Sequence, residues 1–206
     1  MPIRQRHFRR ASDLLRMANI SPERAAVVLS CEPDSPVTQV LKLWGDDENP
    51  FKHLIASQSG EAKIWRETMA ILLKNLRPDR SGRTVWRGWH FESAGARRRL
   101  WRELEVKAVF LNARIGMSAS RSPRIACRPE FVNRYGALWE IRSPRSARDL
   151  APIFRAIGAK YPEQREVVFP KGVRFELVEK PGWRTIRRNG QSKKVRHYVV
   201  QESHDH

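Results

Sequence analysis

An amide and a carboxylate two residues apart, Gln164 and Glu166, stand within the stretch YPEQREVVFPKGVRFEL, residues 161–177. Side chains alternate along a strand, so a strand through Gln164, Glu166 and Val168 sets those three on one face and Arg165, Val167 and Phe169 on the other. After a Pro170-Lys171-Gly172 turn, Val173, Phe175 and Leu177 alternate with Arg174 and Glu176, the pattern of a strand with one buried face. The amide and the carboxylate then project side by side at the mouth of a hairpin, with Tyr161 on an exposed turn before them. A carboxylate can accept a proton or hold developing positive charge, whereas an amide orients a partner through hydrogen bonds alone. Two upstream fragments add complementary groups: Arg87 followed by Gly88 in VWRG, and the hydroxyls of Ser118 and Ser120 in IGMSAS.

Residues 80–206 read as the frame for these groups. A turn-rich junction, Pro78-Asp79-Arg80-Ser81-Gly82, opens it. Strands are expected over 84–88, 113–120, 135–141 and 191–201 besides the hairpin, with a helix over 94–105 and a helical or looped 146–158. Residues 1–79 read as helices in short loops: an apolar stripe of Phe8, Leu14, Leu15 and Met17, a capped start at Ser21-Pro22-Glu23, a short helix over 37–44 closed by Gly45, and a broken helical run over 54–76.

The charge is unevenly spread. Residues 1–80 hold 13 Lys+Arg against 10 Asp+Glu, a net of +3, and residues 81–206 hold 27 against 12, a net of +15. Such a field draws the second part toward polyanions, with Arg97, Arg98, Arg99 and Arg102 crowding one helix. A helix-turn-helix over 8–30 is disfavoured by the near-neutral charge there. Two cysteines, Cys31 and Cys127, supply neither a disulfide framework nor zinc spacing, and fit a reducing cytosol. No apolar run approaches the length of a membrane span. No Gly-x-Gly-x-x-Gly or Gly-x-x-x-x-Gly-Lys occurs, which argues against a Rossmann or P-loop nucleotide site.

In order and strand context, the arginine, the Ser-x-Ser and the Gln-x-Glu resemble the mono-ADP-ribosyltransferase family over residues 80–201. The helical lead-in and length look like the small enzymes of tailed phages, and a toxin acting inside bacteria is the other kind of protein implied. The resemblance implies an α+β protein: a helical N-terminal segment, 1–79, then an ADP-ribosyltransferase-type core of two packed β-sheets, 80–206. It implies NAD as substrate, no metal, and a cytoplasmic place of action. Splitting the nicotinamide–ribose bond passes through an oxocarbenium-like sugar, which needs negative charge and a hydrogen bond to a ribose hydroxyl. Glu166 would supply both. Ser118 would hold that carboxylate, Arg87 would grip NAD with its planar fork, Gly88 would admit the ligand close to the backbone, and Phe131 would stack on nicotinamide.

Position 164 departs from the arginine-modifying relatives, which carry Glu there. Gln, with an aromatic three residues earlier (here Tyr161), occurs in relatives that modify asparagine on small GTPases or guanine in nucleic acid. The expected acceptor is therefore a macromolecule, nucleic acid or a nucleic-acid-associated protein, approached by Tyr161 and Gln164 and docked by Arg98 and Arg102, one helical turn apart. The alternatives are an NAD glycohydrolase, with water as acceptor, and a non-catalytic basic nucleic-acid-binding protein.

Overall fold

A computed structural model describes residues 44, 69–70, 72–73, 76, 78–112, 116–151, 154–155, 162–188 and 191–203. The chain divides into two compact units: Met1–Arg77 with Arg148–Glu163, and Pro78–Ala147 with Gln164–His206.

In the first unit Trp44, Met69, Leu72, Leu73, Leu150, Ala151 and Phe154 are buried. Helical backbone is present at Trp44, Met69, Ala70, Leu72 and Leu73, and Leu76 N donates to Leu72 O at 2.9 Å. Arg148, in the short extended pair Arg148–Asp149, donates from Nε to Leu73 O at 2.8 Å. The expected helices around Phe8–Met17 and Ser21–Val28 lie outside the described residues, as does most of that over 37–44.

The second unit is a mixed sheet with two helices. Its strands are β1 (Val85–Trp89), β2 (Val109–Leu111), β3 (Gly116–Ser120), β4 (Ala137–Arg142), β5 (Glu166–Pro170), β6 (Arg174–Leu177), β7 (Gly182–Arg188) and β8 (Gln191–Glu202). They run side by side in the order β2-β6-β8-β4-β1-β3-β5, with β7 paired to β8. The β4–β8 ladder is parallel, and among the described residues the β1–β3, β1–β4, β2–β6, β3–β5, β6–β8 and β7–β8 ladders are antiparallel. Where the sequence suggests two packed sheets, the strands join in one hydrogen-bonded path. The join is narrow: β1 meets β4 at five register positions but β3 at one, Trp86↔Ser120.

Helix α1 (Ala94–Lys107) starts where Ser93 Oγ accepts from Ala96 N at 3.2 Å, an N-cap that satisfies one of the free amides of the first turn. It ends at Ala108, whose φ of 54° turns the chain out of the helix. Helix α2 (Pro123–Ala126) is a single turn with Pro at its start.

Alternation on β1, β3, β4, β5 and β8 builds the main core on one face of the sheet, from Val85, Trp89, Met117, Ala119, Trp139, Ile141, Val167, Phe169, Tyr198 and Val200. Leu104 of α1 and Phe175 of β6 close it. Trp139, fully buried, is its hub: ring centroids lie 5.0 Å away at Trp89, 5.1 Å at Phe110 and 6.0 Å at Phe175. On the reverse face Leu138, Val195, Ala126 and Val132 form a smaller cluster with Trp86, Phe131 and Ile186.

Candidate active site

The hairpin differs at its entrance from the alternation read in the sequence. Pro162–Gln164 is a 3-10 turn, Arg165 follows with φ of 49°, and the strand begins at Glu166. The expected strand face of Gln164, Glu166 and Val168 is broken at its first member. A left-handed arginine interrupts the two-residue period, and the cost of that conformation is borne by contacts around it. Those contacts come from the end of β3. Ser120 Oγ donates to Gln164 O at 2.5 Å and accepts from Ser122 N at 3.0 Å, and Arg121 N donates to Arg165 O at 3.2 Å. Gln164 is 7% exposed, while Glu163 and Arg165 on either side of it are exposed.

Glu166 is 3% exposed. The registers Ser120↔Glu166, Trp86↔Ser120 and Trp86↔Glu140 place these four residues in one lateral row on the face opposite the main core. Ser118 lies on the same face one pleat along, opposite Val168. Ser120, not Ser118, is thus the serine directly across from the carboxylate.

Past Trp86 the β1–β3 ladder gives out, and Arg87 fills the divergence. Its Nη1 donates to Ser118 O, and its guanidinium sits 4.3 Å from the Trp89 ring centroid. Gly88 has a reason internal to the protein: a Cβ there would lie 2.2 Å from Ala126 O, 2.7 Å from Val132 Cγ2 and 2.8 Å from Phe131 Cβ. Glycine lets α2 and the loop after it press against β1, which sets Phe131 beside the Arg87-Gly88 pair. The loop is held by Asn133, whose Nδ2 donates to Phe91 O at 2.6 Å.

At the far end of the row Glu140 is crowded with cations. Its Oε1 accepts from Arg142 Nε at 3.0 Å, and its Oε2 lies 3.6 Å from Arg184 Nη1. His197 Nε2 is 3.3 Å from the same oxygen. Burial pushes the His197 imidazole below its ordinary value, with Glu140 opposing and Arg184 assisting. Trp86 stacks with His197 at 6.2 Å and 16°, and the Arg184 guanidinium lies 4.6 Å from its ring centroid.

The fold therefore brings Gly88, Ser118, Phe131 and Glu166 to one face of β1, β3, β5 and their adjoining loops, with Gln164 on the turn before β5, whereas Arg87 lies on the β1 face of Val85 and Trp89 and reaches the others through the carbonyl of Ser118. Arg98 and Arg102 are exposed on α1, which packs on the main-core face, the reverse of the face carrying Glu166. Tyr161 lies outside the described residues. The sequence marks the Ser120 hydroxyl without giving it a role and does not mark Trp86; Ser120 stands two residues from Ser118, and that spacing alone places it on the same strand face. Among the described residues, no group of three or more His, Cys, Asp or Glu is placed to hold a metal ion, and no helix is long and apolar enough to cross a membrane.

No protein-family model matches the chain, and no curated protein does. Solved structures do. Exoenzyme S from Pseudomonas aeruginosa, solved with human 14-3-3 protein beta and carba-NAD, is similar with a TM-score of 0.56 and 13% identity, over 96% of this chain and 89% of its own. Plx2a, an ADP-ribosyltransferase toxin from Paenibacillus larvae, gives 0.52 and 13% over 97% and 94%. Vis toxin, an ADP-ribosyltransferase from Vibrio splendidus, gives 0.50 and 13% over 97% and 84%. At these identities the likeness is one of fold, and the fold of this chain is that of the ADP-ribosyltransferase toxins, as the order of its motifs implies.

Proposed function

We propose that the chain is an NAD-dependent mono-ADP-ribosyltransferase that moves ADP-ribose from NAD to a macromolecular acceptor and releases nicotinamide. The observation that carries this reading is the convergence of three distant fragments on neighbouring strands. Ser120 faces Glu166 across β3–β5, and Arg87 of β1 donates to the carbonyl of Ser118. On a fold shared with ADP-ribosyltransferase toxins, this is the set of groups the reaction requires.

In the reaction the C1′–N bond breaks with its electron pair leaving on nicotinamide. The acceptor's lone pair closes the new bond to C1′, and the acceptor's proton passes to water. Glu166 accepts a hydrogen bond from a ribose hydroxyl and balances the charge that develops on the sugar; its burial strengthens that interaction by excluding solvent. Ser118 keeps the carboxylate in position. Arg87, already oriented by the Ser118 carbonyl and the Trp89 ring, binds a phosphate or ribose oxygen of NAD. Gly88 places Phe131 where its ring stacks on nicotinamide. Gln164, with Tyr161, orients the acceptor, and Arg98 and Arg102 help dock it. The acceptor is nucleic acid or a protein that accompanies it, and the enzyme acts in the cytosol as a toxin-like or phage-borne effector, its helical lead-in 1–79 preceding a catalytic part, 80–206.

The burial of Gln164 favours a second reading, an NAD glycohydrolase with water as acceptor, since a buried amide has little surface to offer a macromolecule. One experiment separates the two. The protein is incubated with adenylate-labelled NAD, with and without cell lysate, and nicotinamide release and label transfer are followed through protease and nuclease digestion. Transfer of label to nuclease-sensitive or protease-sensitive material is the expected result. Nicotinamide release with no transfer gives the glycohydrolase, and neither activity overturns the enzyme reading.

A further inference from the structure

The β7–β8 hairpin turns one side away from the small cluster that holds Val195 and Ile186. Register pairs Trp183 with Arg196, Thr185 with Lys194 and Arg187 with Ser192 on that outward side. Trp183 is 61% exposed, unusual for the largest apolar side chain, and Thr185, Arg187, Ser192 and Lys194 are exposed beside it. From Gly182 to Arg196 the sequence has six basic residues (Arg184, Arg187, Arg188, Lys193, Lys194, Arg196) and no acidic one.

This side continues onto α1. The Arg196 guanidinium lies 5.7 Å from the ring centroids of both Trp183 and Trp101 and 5.9 Å from that of Tyr198, and pairs with Glu105 at 3.0 Å. Arg97 lies 4.1 Å over Trp101 from the helix side. The result is an alternation of Arg97, Trp101, Arg196 and Trp183, with Arg98 and Arg102 exposed next to it. Arg196 is neutralised by Glu105 and serves to fix the rings. Arg187 and Lys194 make no ion pair among the described residues and leave their charge to solvent.

We propose that this outward side of the β7–β8 hairpin, together with α1, is a binding platform for single-stranded nucleic acid. It deepens the acceptor half of the function proposed above, and on that reading the bound strand is the acceptor or carries it. An open ring flanked by free cations at strand spacing fits a chain whose bases expose their faces and whose backbone carries a charge at every residue. A duplex hides its base faces and would leave Trp183 uncovered. An acidic polypeptide would satisfy the cations but supplies no regular series of planar rings to cover an exposed indole.

The test uses the full chain and a fluorescein-labelled, unstructured oligouridylate of about 16 nucleotides, followed by anisotropy across a salt series. Its affinity should fall steeply with salt, with a log–log slope of about −3 for roughly four phosphate contacts. Trp183→Ala should weaken binding about tenfold to a hundredfold, with Trp183→Phe recovering much of the loss, because a phenyl ring still stacks. Arg187→Glu with Lys194→Glu should weaken binding and flatten the salt slope. Undiminished binding in Trp183→Ala overturns the proposal. So does a duplex of equal length that binds as tightly, or poly-glutamate that binds as tightly as the oligonucleotide; the latter would point to an acidic protein surface. NAD hydrolysis without the strand is measured in parallel and should not change in these variants. Strand binding by a protein that never cleaves NAD would refute the transferase and keep the platform, whereas NAD cleavage by a protein that binds no strand would do the reverse.

Discussion

Strands β3 and β5 share one backbone ladder but present two faces of opposite character. On one, Met117, Ala119, Val167 and Phe169 are buried among aromatic rings and make no polar demand. On the other, Ser118, Ser120 and Glu166 occupy the alternate positions, and the buried carboxylate and hydroxyl must find partners or pay for their desolvation. The apolar face has one solution, close packing, that any residue of the right shape satisfies. The polar face holds groups to which the proposed reaction gives a chemical purpose, and on that proposal they cannot be exchanged for others of equal volume. Stability is therefore expected to follow the first face and activity the second, and substitutions one residue apart should separate the two.

Glu166→Gln is the sharpest of these. It keeps shape and volume, so the fold should persist, while turnover of NAD falls by about 10²–10⁴, the scale for one positioned charge or acid–base group. Nicotinamide release measured beside a circular-dichroism melt checks both halves. Near-wild-type turnover would remove Glu166 from the chemistry and with it the contrast between the faces.

Gly88→Ala should cost stability and activity together, because Gly88 is where the reverse face touches its covering loop. The new Cβ would meet Ala126 O, a backbone atom that cannot rotate away, so α2 and the Phe131 loop must shift. A loss of about 1–3 kcal/mol is expected for such overpacking, read by denaturant titration, with a rise in KM for NAD if Phe131 stacks on nicotinamide. An unchanged KM in a destabilised variant would leave Phe131 a packing residue only.

The two serines make the comparison within one face. Ser120 holds the turn before Glu166 through Gln164 O and Ser122 N, so Ser120→Ala should cost about 1–3 kcal/mol, since it removes two hydrogen bonds, the one to Gln164 O buried. Ser118→Ala should leave stability nearly unchanged and reduce turnover. If Ser118→Ala is the more destabilising and Ser120→Ala the less active, the two roles are reversed.

Much of this was legible in residue types and spacing. Val173, Phe175 and Leu177 gave the second hairpin strand, and the apolar run after Glu166 gave the first, because a half-buried or buried strand writes its period into the chain. The helix over 94–105 is present as Ala94–Lys107. Arg165 was opaque: nothing about an arginine announces a left-handed conformation, which its neighbours impose through Ser120 and Arg121. Strand β7 was missed because its inward residues are Gly182, Arg184 and Ile186 while its tryptophan points outward, the inverse of the usual pattern. Helix α2, a single turn, is too short to show a period.

The smallest expected effect lies at the far end of the polar row, where His197 tests whether that face carries a cost in stability even away from Glu166. Burial holds the imidazole below its ordinary value of 6.5, with Glu140 and Glu179 pulling it up and Arg184 pushing it down. A depressed folded value means that the unfolded chain binds the proton more readily. The stability due to neutral His197 is then fully present above about pH 6.5 and is lost as pH falls toward and through the folded value. Melting temperature should decline from about pH 7 to about pH 5, by a few degrees at most for one group, and His197→Gln should flatten that part of the curve. Asp79, held low by Ser81 and Arg121 against its burial, loses its contribution only below its ordinary value of 3.8, so its signal falls in a separate window. A variant whose melting curve keeps the full wild-type slope between pH 7 and 5 would show that His197 does not set the acid limit of this face.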